Sequence, residues 1–424
     1  MSWLIKDEKY LWHPFTSLQE KKMPLLVKKA KNCTIYLENG DELIDAVSSW
    51  WTNIHGHGNE ELVKVLTDQA QNLDHVIFAG FTHKPAISLA ENLLRITGYS
   101  FSKVFLSDDG STAVEVGLKI ALQYWSNIGQ TNKKKVLALE GGYHGDTFGA
   151  MSLAGKSDFF KAFNDKFFEV NSLPFPTDES IDEIEALIIK LNESETVACI
   201  IIEPLLQGSA GMRMYSKYLL NRIFEVCKKQ NILIVADEVL TGFGRTGELF
   251  ASLHQSVKPD IIALSKGITG GLLPFGATLI NQKVVAAFDS NDKLKTFFHG
   301  HSYTGNAICC AVALKSLELL ERNACTENRQ RIHLAHLNAQ NHIRKHAKVK
   351  DCRVLGTVLA VEIENGESSS YFNNIRDLLY DGAIAKKVLL RPLGNVIYTI
   401  PPYIITNEEL DVIYKVIAEI LDEI

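Results

Sequence analysis

The sequence lacks the features that mark several large classes of protein. Among its 424 residues no run approaches the roughly 18 consecutive apolar residues that a membrane-spanning helix requires. Residues 1–9 carry charges where a signal peptide would have its apolar core, so we expect no export and predict a cytoplasmic location. With 44 Lys and Arg against 50 Asp and Glu, the chain has no basic excess, which argues against nucleic acid as its partner.

Metal-site and nucleotide-binding patterns are also missing. The seven cysteines are odd in number and show no C-x-x-C spacing, so neither a disulfide framework nor a zinc ribbon is predicted. Two His-Gly-His triplets, His55/His57 and His299/His301, have no acidic or cysteine ligand at a diagnostic spacing, and no metal is expected. The absence of G-x-G-x-x-G and G-x-x-x-x-G-K-[ST] disfavours dinucleotide-binding and P-loop proteins.

Short apolar runs separated by helical patterns are what the sequence does have. Each run has the length of a strand and is apolar throughout, as in strands that are covered on both faces. The runs lie at 104–106, 136–139, 197–202, 232–236, 261–264 and 277–280. Amphipathic stretches such as 113–125 and 217–229 separate them, so we predict an α/β fold with a mostly parallel sheet.

The two ends of the chain have a different character. Asn39-Gly40 between two apolar segments predicts a hairpin, and a helical pattern begins near residue 60. After an apolar helix at 307–321, the chain mixes a strand at 358–363 with a helix near 369–381. We therefore predict a small α+β domain built from residues 1–50 and 320–424, and a large domain at 51–319.

Asp237 and Lys266 are the most informative candidates for chemistry. Each ends an apolar run, so both side chains should emerge at the carboxyl edge of one sheet, where open α/β sheets bind ligands. Burial there lowers the pKa of a lysine and makes its amine nucleophilic, while a buried carboxylate requires a cationic partner such as a pyridinium nitrogen. The alternative is an ion pair, or two side chains that reach solvent separately.

Two glycine-containing loops supply further candidates. Gly110 and Ser111 begin a helix directly after a strand, which suits phosphate binding, although a routine helix cap is the alternative. In the loop 141–149, glycines let the backbone approach a planar ligand on which Tyr143 stacks.

Arg391 is a further candidate. Its guanidinium has the planar fork that binds carboxylates, with a surface salt bridge as the alternative.

Taken together, these runs resemble the class III aminotransferases, which use pyridoxal 5′-phosphate on the fold-type-I scaffold. The matching motifs, in order, are Ser107-Asp-Asp-Gly-Ser, Gly141-Gly-Tyr-His-Gly, Ile201-Ile-Glu-Pro, Asp237-Glu-Val-Leu-Thr-Gly-Phe-Gly-Arg-Thr-Gly and Ser265-Lys-Gly. The resemblance implies that Lys266 forms the covalent link to the cofactor and moves a proton, and that Asp237 keeps the ring nitrogen protonated. It makes Lys266, Asp237 and Tyr143 the catalytic residues.

The resemblance also implies how the cofactor and a second subunit are held. Gly110 and Ser111 would bind the phosphate of their own subunit, whereas His301 and Ser302 would reach the phosphate of the neighbouring one. The expected assembly is a homodimer with shared active sites. Glu203 matches a glutamate beside the cofactor, and its role stays open.

Further runs are similar to the branch of this family that aminates 8-amino-7-oxononanoate in biotin biosynthesis. They are Trp12-His-Pro-Phe-Thr, Ser48-Ser-Trp-Trp, Tyr143-His-Gly-Asp-Thr-Phe-Gly and Arg391-Pro-Leu-Gly. By this resemblance the substrate-binding residues are Phe15, Trp50, Tyr143, Asp146, Gly300, Arg391 and Tyr398.

The amino donor is less firmly indicated. Relatives that use S-adenosylmethionine carry Tyr where this chain has Phe15, and Pro-Thr where it has the loop beginning at His301, so both features favour a lysine-using branch. Trp50-Trp51 favours S-adenosylmethionine, which is the donor we expect. The alternatives are a 4-aminobutyrate or ornithine type of ω-amino acid transaminase, and a non-catalytic binding protein on the same scaffold.

Overall fold

The computed structural model describes residues 2–19, 22–155, 158–366 and 373–424. Its strands are, in chain order, β1 (Val27–Lys31), β2 (Thr34–Leu37), β3 (Glu42–Asp45), β4 (Lys103–Ser107), β5 (Lys135–Leu139), β6 (Val170–Leu173), β7 (Val197–Ile202), β8 (Leu206–Gln207), β9 (Arg213–Met214), β10 (Leu233–Asp237), β11 (Ile261–Leu264), β12 (Gly276–Ile280), β13 (Val349–Leu355), β14 (Val358–Ile363), β15 (Val388–Leu389) and β16 (Val396–Thr399).

The helical elements alternate with these strands. They are α1 (Trp3–Tyr10), α2 (Ser48–Trp51), α3 (Glu60–Asn72), α4 (Lys84–Ile96), α5 (Gly110–Asn127), α6 (Phe148–Ala154), α7 (Ile181–Leu191), α8 (Lys217–Lys229), α9 (Gln282–Ala286), α10 (Ala307–Glu321), α11 (Asn323–Ile343), α12 (Arg376–Ala385) and α13 (Asn407–Glu423). Single 3-10 turns lie at Asp158–Phe163, Ala251–His254, Lys266–Thr269 and Lys293–Lys295.

A seven-stranded sheet forms the centre of the molecule, in the order β4-β12-β11-β10-β7-β5-β6. Strand β12 runs antiparallel to both of its neighbours, and the other pairings are parallel. Every residue of β7, β10, β11 and β12 is buried. The prediction of a mostly parallel sheet covered on both faces, from uninterrupted apolar runs, is confirmed.

Helix α5 packs closely on this sheet and so fixes the position of its own N-terminus. A Cβ at Gly117 would lie 3.2 Å from Val235 Cγ1 and 3.3 Å from Ile261 Cγ2, which is a tight contact, so glycine allows the close approach of the helix to β10 and β11. The helix begins at Gly110, beside the carboxyl ends of those strands. The phosphate-binding candidate is thereby held at the edge where the parallel strands end.

The two ends of the chain meet in a second sheet. Strands β1, β2 and β3 form an antiparallel unit whose hairpin turn contains Gly40 at φ +91°, as Asn39-Gly40 predicts. Strand β15 then pairs in parallel with β3, Val388 opposite Ile44. On this pairing we propose the division into a small domain, 1–50 with 320–424, and a large domain, 51–319.

Some boundaries differ from the sequence prediction. The helix predicted near 369–381 begins at Arg376 and ends at Ala385 in the structure, and positions 369–372 lie outside the described residues. Lys266 does not end a strand: β11 ends at Leu264, and Lys266 opens the following 3-10 turn with φ +37°.

Within the described ranges, no helix is both long and apolar enough to span a bilayer.

Candidate active site

A cavity of about 240 Å³ opens at the carboxyl edge of the central sheet. It combines the ends of β5, β7, β10 and β11 with the start of α5. Its lining residues are Trp51, Asp109, Gly110, Ser111, Tyr143, His144, Gly145, Glu203, Ser209, Asp237, Val239, Leu240, Ser265 and Lys266. Six residues predicted from the sequence meet here: Gly110, Ser111, Tyr143, Glu203, Asp237 and Lys266.

Lys266 presents its amine to this cavity. Its Nζ lies 5.2 Å from the centre of the Trp51 ring. Burial lowers the pKa of the Lys266 ammonium group and outweighs the opposing effect of the carboxylates of Asp237 and Glu203. The amine is therefore shifted towards the neutral form, which is the form that acts as a nucleophile or a base.

Asp237 is held by His144, which was not predicted from the sequence. His144 Nδ1 lies 2.7 Å from Asp237 Oδ2, and both side chains are buried. Asp237 Oδ1 accepts a hydrogen bond from the Val239 N–H at 3.0 Å. Burial opposes charge on His144, yet the hydrogen bond and charge of Asp237 raise the pKa of its imidazole. The only sequence signal was its place beside Tyr143, in a loop that ends on the same sheet edge.

Glu203 fastens two loops around the cavity. Its Oε1 accepts from the Tyr143 N–H at 3.0 Å and its Oε2 accepts from the Gly208 N–H at 3.1 Å. Burial raises the pKa of Glu203 to about 7. Burial, with the charge of Asp146 next, also raises the pKa of the Tyr143 hydroxyl, which therefore stays protonated. Glu203 orders the Tyr143 loop, a role for which the sequence offered no signal.

The start of α5 forms a cradle for an anion. The Asp109 side chain accepts from the Thr112 N–H at 2.8 Å, and the Asp109 carbonyl accepts from the Ala113 N–H. The N–H groups of Gly110 and Ser111 precede these and have no partner inside the helix. A Cβ at Gly110 would lie 2.7 Å from Val239 Cγ1, so a larger residue would displace the cradle.

The Tyr143 loop closes over this cradle. The Asp146 N–H donates to Ser111 Oγ at 3.2 Å. Gly145 adopts φ +127°, and a Cβ there would lie 2.1 Å from Ser111 Oγ, so the contact requires glycine. A phosphate cradle, a buried carboxylate and a lysine with a lowered pKa thus surround one cavity. They suit the phosphate, the ring nitrogen and the aldehyde of pyridoxal 5′-phosphate.

An aromatic group lies next to the cavity. The Arg391 guanidinium lies 4.3 Å over the Trp50 ring, and Phe15 packs against the same ring with centroids 5.5 Å apart. Trp51, which was not predicted separately, lines the cavity and donates its Nε1–H to the Tyr398 hydroxyl at 2.9 Å. Two predicted substrate residues, Phe15 and Arg391, are therefore grouped around a third, Trp50, while Tyr398 supports Trp51.

The backbone that carries both tryptophans is strained. Ser48, Ser49, Trp50 and Trp51 all have positive φ, at 50°, 46°, 80° and 74°. The left-handed conformation costs an L-residue roughly 1–2 kcal/mol. The segment α2 is therefore a left-handed turn that its surroundings must maintain.

The predicted residues of the 297–305 loop lie apart from the cavity. Gly300 and Ser302 are exposed, and His301 Nε2 lies 3.7 Å from Asp108 Oδ1, beyond hydrogen-bonding distance. His75 Nε2 contacts the Ser302 carbonyl at 2.5 Å. Within one chain this loop thus does not join the cofactor group, and its contact with a neighbouring subunit stays a prediction.

Histidines of the two His-Gly-His triplets contact other residues of the chain. His55 contacts Ser316, His57 contacts Asp45, and His299 contacts Lys119. Among the residues that the structure describes, no three His, Cys, Asp or Glu side chains are grouped so as to hold a metal ion.

Comparison with known proteins identifies the family. The model described as aminotransferase class-III matches residues 15–421. The chain belongs to the class-III aminotransferase family. Class-III aminotransferases depend on pyridoxal 5′-phosphate, so the predicted cofactor and enzyme class are confirmed.

Several class-III aminotransferases match over the full length. Proteins named adenosylmethionine-8-amino-7-oxononanoate aminotransferase from Synechococcus elongatus and Helicobacter pylori are 44% and 37% identical, covering 98% and 99% of this chain and 99% and 97% of their own. The crystal structure of the enzyme of that name from Methanocaldococcus jannaschii has a TM-score of 0.93 at 33% identity, with 98% of each chain covered. The crystal structure of a thermostable 6-fold mutant of an omega transaminase from Pseudomonas jessenii has a TM-score of 0.94 at 27% identity, covering 100% of this chain and 98% of its own. These matches confirm the fold-type-I α/β architecture.

Proposed function

We propose that this protein transfers an amino group from S-adenosylmethionine to 8-amino-7-oxononanoate, giving 7,8-diaminononanoate for biotin biosynthesis. The observation that carries the proposal is the 44% full-length identity to a relative named for these two substrates. The same name recurs among relatives at 35–37% identity and for the Methanocaldococcus jannaschii structure. We place the activity in the cytoplasm, as the sequence predicts.

The residues around the cavity divide the work of holding the cofactor. Bound pyridoxal 5′-phosphate supplies a carbonyl that accepts the amino group and a ring that takes up negative charge from the reacting carbon. The Gly110 and Ser111 N–H groups would bind the phosphate at the start of α5. Asp237, oriented by His144, would keep the ring nitrogen protonated, and Tyr143 would stack on the ring.

Lys266 moves the proton. Burial shifts the Nζ group towards the neutral amine, which would take the proton from the donor carbon that carries the amino group. In the second half-reaction it would return a proton to the acceptor carbon that receives the amino group. Trp51 lines the cavity with its ring centre 5.2 Å from Nζ and would shield that side of the amine. Donor and acceptor would react in turn at the same site, and the deaminated donor would leave before the acceptor binds, so we expect ping-pong kinetics.

The substrate is held at the Trp50 side of the cavity. The carboxylate of 8-amino-7-oxononanoate binds the Arg391 guanidinium, whose edge carries donors while its face stacks on Trp50. Phe15 completes the apolar wall for the methylene chain. Tyr143, Asp146, Gly300 and Tyr398 complete the proposed substrate-binding set.

A homodimer completes the proposed site. His301 and Ser302 would bind the phosphate of the partner subunit, and large apolar side chains on the same loop, including Phe298 and Tyr303, are exposed in the single chain. Sedimentation velocity should show a dimer, and His301→Ala should weaken cofactor binding without changing the environment of Lys266. A monomer with full cofactor affinity would refute this assembly.

Donor and acceptor assays test the function directly. Purified protein with pyridoxal 5′-phosphate and 8-amino-7-oxononanoate is supplied with S-adenosylmethionine or lysine, and 7,8-diaminononanoate is measured by mass spectrometry. Product with S-adenosylmethionine supports the proposal, and product with lysine alone reassigns the donor. The Pseudomonas jessenii omega transaminase has the same fold, so 4-aminobutyrate with 2-oxoglutarate is the control pair. Turnover of that pair alone would overturn the proposal.

A further inference from the structure

The left-handed turn Ser48–Trp51 requires an external support. Four consecutive residues other than glycine have positive φ there, and such a conformation persists only when surrounding contacts impose it. The turn carries both tryptophans of the site. The contacts that maintain its backbone therefore also set the position of the two indole rings.

Asp45 supports the turn through three hydrogen bonds. The residue is fully buried at the end of β3. Its Oδ1 accepts hydrogen bonds from the N–H groups of Val47 at 3.2 Å and Ser49 at 3.0 Å, and its Oδ2 accepts from Ser49 Oγ at 2.8 Å. One carboxylate thus holds the backbone on entry to the turn and at its second residue.

His57 holds Asp45 from the other side. Its Nε2 lies 2.8 Å from Asp45 Oδ2, and its Nδ1 lies 3.0 Å from Asn53 Nδ2. With Asn53 donating to Nδ1, the imidazole donates to the carboxylate from Nε2. Burial by itself would raise the pKa of Asp45, but the hydrogen bonds from His57 and Ser49 lower it, so the carboxylate stays charged.

The turn connects Asp45 and His57 to the reacting groups. Trp51 lines the cavity near Lys266, and Trp50 lies under Arg391. Asp45 itself is not a lining residue of the cavity. A return of Ser49 to negative φ would rotate the chain that follows and move both indoles.

We propose that Asp45, held by His57, is a positioning residue for the transamination: it imposes the left-handed turn that places Trp50 against Arg391 and Trp51 beside Lys266. The inference rests on the proposed function, because the acceptor is expected to bind between these groups. Asp45 touches neither cofactor nor substrate, so its effect is on substrate binding and not on cofactor binding.

Asp45→Asn tests the proposal in the full-length holoenzyme. We expect KM for 8-amino-7-oxononanoate to rise about tenfold, as for the loss of one hydrogen bond to a charged group. The cofactor dissociation constant, from absorbance titration, should stay within about twofold, as for distant sites. Asp260→Asn is the matched control, since Asp260 is also buried and accepts from the Ile234 N–H at 2.9 Å, away from the tryptophans. Its KM should not change.

Glycine rescue separates positioning from a general loss of structure. Glycine adopts positive φ at little cost, so Ser49→Gly added to Asp45→Asn should restore most of the lost substrate affinity. The near-ultraviolet circular dichroism of the tryptophans should change in Asp45→Asn and return in the double variant. Failure of the double variant to recover either signal would overturn the proposal.

A second variant covers the case in which Asp45→Asn does not fold. His57 is partly exposed, and its substitution leaves the contacts between Ser49 and Asp45 in place. His57→Gln should therefore give a smaller rise in KM and a smaller dichroism change than Asp45→Asn. Unchanged KM and dichroism in His57→Gln would then refute the role. If the unmodified protein does not turn over 8-amino-7-oxononanoate, the proposed function fails, and the dichroism and its glycine rescue still decide the positioning role.

Discussion

His144 Nδ1 lies 2.7 Å from Asp237 Oδ2, and the two side chains are only 1% and 5% exposed. In this nearly buried pair each group fixes the other: the imidazole orients the carboxylate, and the carboxylate favours the charged imidazole. The pair thereby presents an oriented carboxylate to the cavity, and the charged imidazole beside it carries the balancing positive charge.

Substitutions in this pair should show strong coupling. We expect Asp237→Asn to keep the fold and lower turnover by ~10²–10³-fold, because the charge that stabilises the protonated ring nitrogen is lost. His144→Asn should lower turnover by about tenfold, the value of one buried hydrogen bond to a charged group. The double variant should be no slower than Asp237→Asn alone in single-turnover assays. Fully additive losses would mean that the two residues act separately.

Lys266→Ala should abolish transamination while the cofactor still binds. We expect turnover to fall by ~10³-fold or more, since the proton-transfer group is removed. After borohydride treatment, the unmodified protein should retain cofactor through denaturation, whereas the variant should release it. Lys283→Ala, on α9 near Tyr124, is the matched control and should behave as the unmodified protein. Normal turnover in Lys266→Ala would contradict the assigned role.

Glu203 should make the stability of the apoprotein depend on pH. Its pKa in the folded state is about 7, above the roughly 4.3 of an unfolded glutamate. The protonated form therefore contributes stability that is fully present below about pH 4 and is lost as the pH rises through 7. The side chain of Glu203→Gln stays neutral. The unfolding free energy of the variant, relative to that of the unmodified protein, should therefore increase by on the order of 3 kcal/mol between pH 5 and 8. Parallel pH profiles in denaturant titrations would rule this out.

Gly145→Ala should weaken cofactor binding. The added Cβ would lie 2.1 Å from Ser111 Oγ, so the Tyr143 loop must move away from the phosphate cradle. We expect at least a tenfold rise in the cofactor dissociation constant, corresponding to about 1.4 kcal/mol. Gly129→Ala is the control, because Gly129 also has positive φ but has open space around it. An equal effect in both variants would assign the loss to backbone strain alone.

The sequence predicted the parts of the fold and site that depend on local pattern. The uninterrupted apolar runs gave β7 and β10, and residues at the ends of such runs, Asp237 and Glu203, do line the cavity. His144 was missed because nothing local shows which side chain of a glycine-rich loop turns inward. The positive φ of Ser49 was missed because it depends on Asp45, whose orientation is set by His57 further along the chain.

The pairing of β15 with β3 has a consequence for how the protein is made. Val388 and Ile44 lie far apart in the chain, so this contact forms late on entropic grounds and cannot form until nearly all of the chain has been synthesised. Phe15 and Arg391, which flank Trp50, are separated in the same way. A nascent chain that has not yet reached Arg391 therefore has Gly110, Ser111 and Lys266 but lacks the residue that we propose to bind the substrate carboxylate.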